Sequence, residues 1–138
     1  MKKIDQIIVD KGNGDCTRAC IASILEMDIT SMPNFIEFGP DWFSSFWKFL
    51  NDNGCEYQGT GWLKSENKPM GTVLKESPNI DGFVIATVQS RTFEDTTHSV
   101  VMNLEGMVVH DPNPNKLWQG ENILESGQLK HWMLIERI

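Results

Sequence analysis

The chain has 138 residues, 40% of them hydrophobic, a formal net charge of −7 at pH 7 and a pI near 4.8. This length predicts a single domain, residues 1–138, that buries one core. The acidic balance argues against nucleic acid and anionic lipid as partners, because both carry charge of the same sign. Polar residues interrupt the apolar run in MKKIDQIIVD, so we expect no signal peptide, no membrane span and a cytosolic location.

The chain contains three cysteines, Cys16, Cys20 and Cys55. Three thiols cannot all pair with one another, and a reducing cytosol would keep them free, so a disulfide framework is not expected. The cysteines are therefore packing residues, metal ligands or reactive groups.

The first predicted helix covers residues 16–27, directly after the turn cluster KGNGD. Asp15 is placed to cap this helix by accepting hydrogen bonds from its first free amides. Cys20 and Ile24 are four residues apart, which is the spacing of a helix buried on one side. The stretch DITSMP should then end the helix with a short turn.

A second helix is predicted from a cap at Asp41 to about Asn51. We interpret its Trp and Phe residues, between positions 42 and 50, as a buried helix face rather than as the lining of a groove. Strand patterns follow at CEYQ, FVIATV, HSVVMN, MVVHD and HWMLIERI. Helices followed by antiparallel strands predict an α+β fold, with the N-terminal helix lying against a small antiparallel sheet.

Cys16 is predicted to open the first helix, where unpaired amides and the positive end of the helix dipole favour a thiolate over a thiol. The pKa of a free cysteine, ~8.5, falls to ~3.5–7.5 in such positions. Cys20 lies one turn further into the helix and lacks this advantage. The alternative for Cys16 is a small buried residue that only fills space, which is the common role of free cysteine.

The stretch HSVVMNLEGMVVHDP is predicted to form a β-hairpin that brings a histidine and an aspartate together. With a two-residue turn at Leu104-Glu105, His98 faces Asp111, which suits an imidazole N–H donating to a carboxylate. With a three-residue loop through Gly106, His110 instead shares the face of His98. A bulge could restore the first pairing. For His98 and Asp111 singly, a strand-edge histidine and a turn cap are the ordinary alternatives.

A zinc site is a further alternative for the two N-terminal cysteines, with His98 or His110 as a third ligand. Familiar two-thiol zinc sites use shorter spacings, and no second cysteine pair follows, so no metal is expected. Cys55 is predicted to be a packing residue. No Walker loop, GxGxxG or HExxH motif occurs, so no cofactor is expected either.

Two stretches, GDCTRACIASIL and THSVVMNLEGMVVHDPNPN, resemble the papain-like cysteine peptidases, especially the domains that process leader peptides of exported bacterial peptides. Small papain-like proteins of phages and bacteria are more similar still. The resemblance, over roughly residues 6–27 and 80–114, implies a papain-like fold and a peptide or protein substrate, and the host cytoplasm if the protein is phage-encoded. It implies that Cys16 is the nucleophile, His98 the general base and acid, and Asp111 the residue that orients the histidine.

The family pattern has a glutamine six residues before the cysteine, where this chain has Asp10. An ionised carboxylate cannot donate to an oxyanion, and losing such a donor costs ~10²–10³ in turnover. Asn13 or the backbone of Cys16 could donate instead, although Asn13 could equally be an ordinary turn residue. We expect an amide hydrolase, either peptidase or isopeptidase. The alternatives are a transglutaminase-type acyl transferase and a non-catalytic papain-like binding module that modulates a host system.

Overall fold

The computed structural model describes residues 1–10, 14–62 and 82–137. It contains two α-helices, α1 (Cys16–Leu25) and α2 (Trp42–Asp52), and two short 3₁₀ helices, Ile29–Ser31 and Phe35–Asp41. Five strands follow: β1 (Cys55–Trp62), β2 (Phe83–Gln89), β3 (Thr97–Asn103), β4 (Val108–His110) and β5 (His131–Arg137). The predicted α+β order, helices first and strands after, is present. Neither described α-helix is long and apolar enough to cross a membrane.

The five strands form one antiparallel sheet in the order β1-β5-β2-β3-β4. Alternate residues of a strand point to opposite faces, so the apolar strands β2 and β3 can bury both sides of the sheet. One face packs against the helices through residues such as Ile85, Val101 and Met133. The other face, with Val84 and Val100, is covered by Trp118, Ile123 and Leu129. Helix α1 packs on the first of these faces, next to β3.

Helix α1 is shorter than predicted, because Glu26 adopts a left-handed conformation (φ 56°) and its N–H bonds to the carbonyl of Ala22. The prediction that Asp15 caps the helix is wrong. Asp15 occupies the N-cap position, but its carboxylate accepts from the backbone amides of Ile7 (3.3 Å) and Ile8 (2.9 Å) and pairs with Arg18. The buried carboxylate therefore ties the N-terminal segment to α1.

Helix α2 begins after Asp41 as predicted, but the Asp41 side chain makes no capping hydrogen bond. Phe46 and Leu50, four residues apart, are fully buried. The interpretation of the whole aromatic surface as a buried face is wrong, because Trp42, Phe43 and Trp47 keep 37%, 41% and 49% of their surface exposed. A single i, i+4 stripe anchors the helix, and the neighbouring aromatic rings remain open to solvent.

The hairpin between β3 and β4 begins in the register of the three-residue loop and then shifts, which is the bulged alternative named among the predictions. At the turn, the Asn103 N–H donates to the Met107 carbonyl (2.9 Å), as the three-residue loop requires. Further along the hairpin the register shifts by one residue, so that Val101 pairs with His110. A one-residue shift exchanges the two faces of a strand, and Asp111 thereby replaces His110 on the side of His98.

Candidate active site

Cys16 is the first residue of α1, and its side chain contacts the start of strand β3. The thiol and the His98 side chain are close enough to interact electrostatically, and both border the same cleft. The Ser99 backbone N–H donates to Cys16 Sγ at 3.4 Å. One residue further along the helix, Thr17 Oγ1 and Ser99 Oγ are 2.9 Å apart. These bonds fix the N-terminal turn of α1 on β3, so the position of the thiol relative to the imidazole is set by two rigid elements.

Asp111 orients the ring of His98. The distance from His98 Nε2 to Asp111 Oδ1 is 2.7 Å, which leaves Nδ1 as the ring nitrogen available to the thiol. Asp111 is fully buried and also accepts hydrogen bonds from the backbone amides of Asn113 and Trp118, both at 3.0 Å. The carboxylate is therefore held rigidly, and the ring cannot rotate without breaking the bond to it.

The three groups favour one another's charged forms. Burial by itself raises the pKa of Cys16, but the hydrogen bond and positive charge of His98 outweigh it and bring this pKa below its usual value. Burial likewise works against the charge of His98, yet the hydrogen bonds to Asp111 and Cys16 raise its pKa to about 9. The pKa of Asp111 is lowered, because its hydrogen bonds to His98 and two amides outweigh its burial. The arrangement thus favours a thiolate beside an imidazolium.

The other two cysteines are core residues, as predicted for Cys55. Cys20 and Cys55 are both buried, at 0% and 1% exposure. Burial raises the pKa of Cys20 well above its usual value, and the negative charges of Cys16 and Asp111 raise it further. Within the described ranges, no three His, Cys, Asp or Glu side chains cluster in a way that could hold a metal ion.

His110, the alternative partner in the hairpin, is outside the Cys-His-Asp cluster. Its side chain is buried, and its Nε2 donates to the carbonyl of Ile4 at 2.7 Å. Burial lowers its pKa, so the ring is neutral and serves to anchor the N-terminal segment.

Two clefts meet at Cys16. The first, which we call the polar cleft, has a volume of about 340 Å³. Its lining includes Cys16, His98, Gln6, Asp10 and Asn113, together with residues of the loop between β2 and β3. The thiol of Cys16 and the imidazole of His98 therefore border the same open cleft.

The second cleft, which we call the aromatic cleft, has a volume of about 450 Å³. It also includes Cys16, but its other walls come from α2 and from the helix-facing side of the sheet, among them Trp42, Phe43, Ile85 and Met133. Cys16 therefore lies between two cavities of different chemistry.

Gln6 is the site residue that sequence reasoning missed. It is 8% exposed, lines the polar cleft, and donates from Nε2 to the carbonyl of Ile8 at 2.7 Å. A glutamine upstream of the cysteine was the expected signal, but Gln6 precedes Cys16 by ten residues rather than six. Asp10, at the expected spacing, also lines this cleft and is exposed. Asn13, the predicted oxyanion donor, lies outside the described residues.

Comparisons of the chain with protein-family models, with curated proteins and with solved structures find no match. The function must therefore be argued from the residues of the site and from the clefts beside them.

Proposed function

We propose that the protein is a cysteine-dependent amide hydrolase of papain-like architecture, acting as a peptidase or isopeptidase. Cys16 is the nucleophile, His98 the proton carrier, and Asp111 the residue that orients the ring. The observation that carries the proposal is the juxtaposition of the three groups: Asp111 Oδ1 lies 2.7 Å from His98 Nε2, and the His98 imidazole and the Cys16 thiol interact electrostatically and border one open cleft. A nucleophile, a base and an orienting group in this order are the usual signature of covalent acyl transfer.

In the first half of the reaction, the Cys16 thiolate attacks the amide carbonyl and an S–C bond forms. The carbonyl oxygen becomes an oxyanion. As the C–N bond breaks, the His98 imidazolium gives its proton to the departing nitrogen, which leaves as an amine. The substrate's acyl group remains on Cys16 as a thioester.

In the second half, neutral His98 takes a proton from a water molecule that attacks the thioester. The S–C bond breaks, the carboxylic acid departs, and the thiolate and imidazolium are restored. Asp111 keeps the ring aligned and stabilises its positive charge in both halves without itself becoming protonated.

The oxyanion requires hydrogen-bond donors, and Gln6 offers one. Gln6 lines the same cleft as Cys16; of its two Nε2 hydrogens one is donated to Ile8, and we assign the other to the oxyanion. The backbone amide of Cys16 lies in the first turn of α1, where helix amides have no carbonyl partner within the helix. Gln6→Glu, which retains the size but removes the donor, should lower kcat by ~10²–10³.

A non-catalytic binding module is the second candidate, and the exposed carboxylate of Asp10 in the polar cleft favours it. This charge would oppose a developing oxyanion. A binding module needs the clefts but does not need a reactive thiol, so the reactivity of Cys16 separates the two candidates.

The test combines thiol reactivity with turnover. Iodoacetamide labelling, read by peptide mass spectrometry, should be faster at Cys16 than for a free cysteine at pH 6. A complex peptide mixture should yield products that are absent with Cys16→Ala, and an added primary amine would appear in those products if the enzyme is an acyl transferase. Slow labelling of Cys16 in the folded protein, with no cleavage, would overturn the proposal in favour of the binding module.

A further inference from the structure

Asp15, the residue before Cys16, is fully buried, and its carboxylate holds part of the N-terminal segment. It accepts from the consecutive backbone amides of Ile7 and Ile8, at 3.3 and 2.9 Å. Arg18, whose side chain is 11% exposed, donates to the same carboxylate at 2.6 Å. Charge-assisted hydrogen bonds are about twice as strong as bonds between neutral groups. The carboxylate therefore fixes the backbone at Ile7 and Ile8 relative to the start of α1.

Ile8 connects this carboxylate to the side chain of Gln6. The Ile8 carbonyl accepts from the Asp15 backbone N–H at 3.3 Å and from Gln6 Nε2 at 2.7 Å. Gln6 is also held from a second side, because its backbone N–H donates to the carbonyl of Pro112, next to Asp111, at 2.9 Å. The place of the Gln6 amide is thus set by the residue before the nucleophile and by the residue after the orienting aspartate.

Gly14 leaves room for the Gln6 amide beside the nucleophile. A Cβ at position 14 would be 3.6 Å from Gln6 Nε2 and 3.2 Å from the carbonyl oxygen of Asp10. The amide therefore packs against the backbone two residues before Cys16, in the polar cleft that all of these residues line. Because Gln6 is bonded to Ile8, a displacement of Ile8 would move the donor within this cleft.

We infer that Asp15 is a positioning residue, which places the Gln6 donor for the oxyanion by holding Ile8. The inference rests on the proposed function and adds a residue that acts through Gln6, since Asp15 is not among the described lining of either cleft. A carboxylate suits this role because its two oxygens accept from both amides and from Arg18, whereas an asparagine side chain has one acceptor oxygen.

Asp15→Asn tests the inference with a peptide that the unsubstituted protein cleaves. Its kcat should fall roughly tenfold with KM unchanged, because a displaced donor loses part of the ~10²–10³ that an oxyanion donor contributes. Alkylation of Cys16 by iodoacetamide at pH 6 should be unchanged, because this reaction forms no oxyanion. Asp15→Glu is the second variant, since it keeps a negative charge beside Arg18 but displaces the carboxylate by one methylene. Its kcat should fall as well.

A double-mutant cycle with Gln6→Ala shows whether Asp15 acts through Gln6. In the Gln6→Ala background no side-chain amide remains to be placed. Adding Asp15→Asn or Asp15→Glu to this background should therefore cause no further loss of kcat.

Ser23→Ala is the matched control, because Ser23 anchors the same N-terminal segment without contacting Ile8. Ser23 is buried, and its hydroxyl bonds to the N–H and the carbonyl of Ile4 at 3.0 and 3.2 Å, two residues before Gln6. Ser23→Ala should lower the melting temperature and leave kcat unchanged.

An unchanged kcat in either folded Asp15 variant would overturn the inference, as would a loss that persists in full in the Gln6→Ala background. An equal loss of kcat in Ser23→Ala, or an equal fall in Cys16 alkylation, would also overturn it, because Asp15 would then act on the fold or on the thiol. Failure of the proposed function looks different: the unsubstituted protein would cleave no peptide, and iodoacetamide would label its Cys16 at pH 6 no faster than free cysteine.

Discussion

Cys16 and Cys20 are four residues apart on the same helix, yet their thiols have opposite acid–base character. Burial raises the pKa of both. At Cys16 the hydrogen bond and charge of His98 reverse this effect, whereas at Cys20 the nearby negative charges of Cys16 and Asp111 add to it. The comparison teaches that the group contacting a thiol across the fold decides whether the thiol is reactive, even where two thiols share one helix face.

The largest expected effect is the difference between removing the Cys16 thiol and removing the Cys20 thiol. Cys16→Ala should abolish both low-pH alkylation and turnover, since the other two thiols, Cys20 and Cys55, are buried in the core. Cys20→Ala should retain both, because the Cys20 thiol is buried and protonated. Mass spectrometry after iodoacetamide treatment, with peptide cleavage in parallel, measures the difference, and a reactive Cys20 would break the comparison.

Asp111→Asn should reduce kcat/KM by ~10² or more, because an amide in this position neither fixes the ring tautomer nor stabilises the imidazolium. Asp5→Asn is a suitable control, because the Asp5 carboxylate lies 3.7 Å from His110 Nε2 and pairs with Lys116. Thermal denaturation of both variants separates loss of catalysis from loss of folding. Equal activity of the two variants would contradict the orienting role of Asp111.

His98→Ala should slow alkylation of Cys16 at pH 6 by about tenfold or more, because burial raises the pKa of the thiol and only the smaller effect of the Ser99 hydrogen bonds then opposes it. The difference in labelling rate between His98→Ala and the unsubstituted protein should narrow at pH 10, where the Cys16 thiolate forms without His98. Labelling rates across this pH range provide the measurement. An unchanged rate at pH 6 would show that the helix terminus alone, and not His98, activates the cysteine.

The smallest expected effect is a difference between the pH dependence of turnover and the pH dependence of Cys16 alkylation. His98 has a raised pKa of about 9, so its proton is present below that pH and lost as the pH rises through it. Turnover needs this proton for the departing amine and should fall about twofold at pH 9. Alkylation needs only the thiolate, so it should not fall there, while both rates should decline in acid as the thiolate of Cys16 is protonated. A fall in the alkylation rate above pH 9 would contradict the conclusion that only turnover needs the His98 proton.

Local patterns in the sequence were sufficient to place the main elements. The turn cluster before Cys16 and the i, i+4 apolar spacing predicted the start of α1, and the apolar runs at FVIATV and HSVVMN predicted β2 and β3. These signals are local, because backbone freedom and burial periodicity act over a few neighbouring residues. The α+β order and a hairpin that follows His98 could therefore be anticipated.

Contacts between distant segments could not be read in this way. The one-residue shift that brings Asp111 to His98 depends on how β4 packs against β3, and turn chemistry alone could not choose between the two regular registers and the bulged one. Asp15 was expected to cap its own helix, but its carboxylate binds the amides of Ile7 and Ile8 in the segment that precedes the helix. A polar side chain takes whichever partners its buried environment supplies.

The sequence by itself thus determined which residues could carry the chemistry and in which elements they lie, since residue type and local periodicity are properties of the chain. The tertiary structure alone decided that Gln6 and Asp10 share the cleft of Cys16 and that Trp42 and Phe43 line a second cleft. It also decided that Cys16, and not Cys20, contacts the imidazole. The reason is that proximity between segments far apart in sequence arises from packing, and hydrogen bonds, desolvation and charge act only over those short distances.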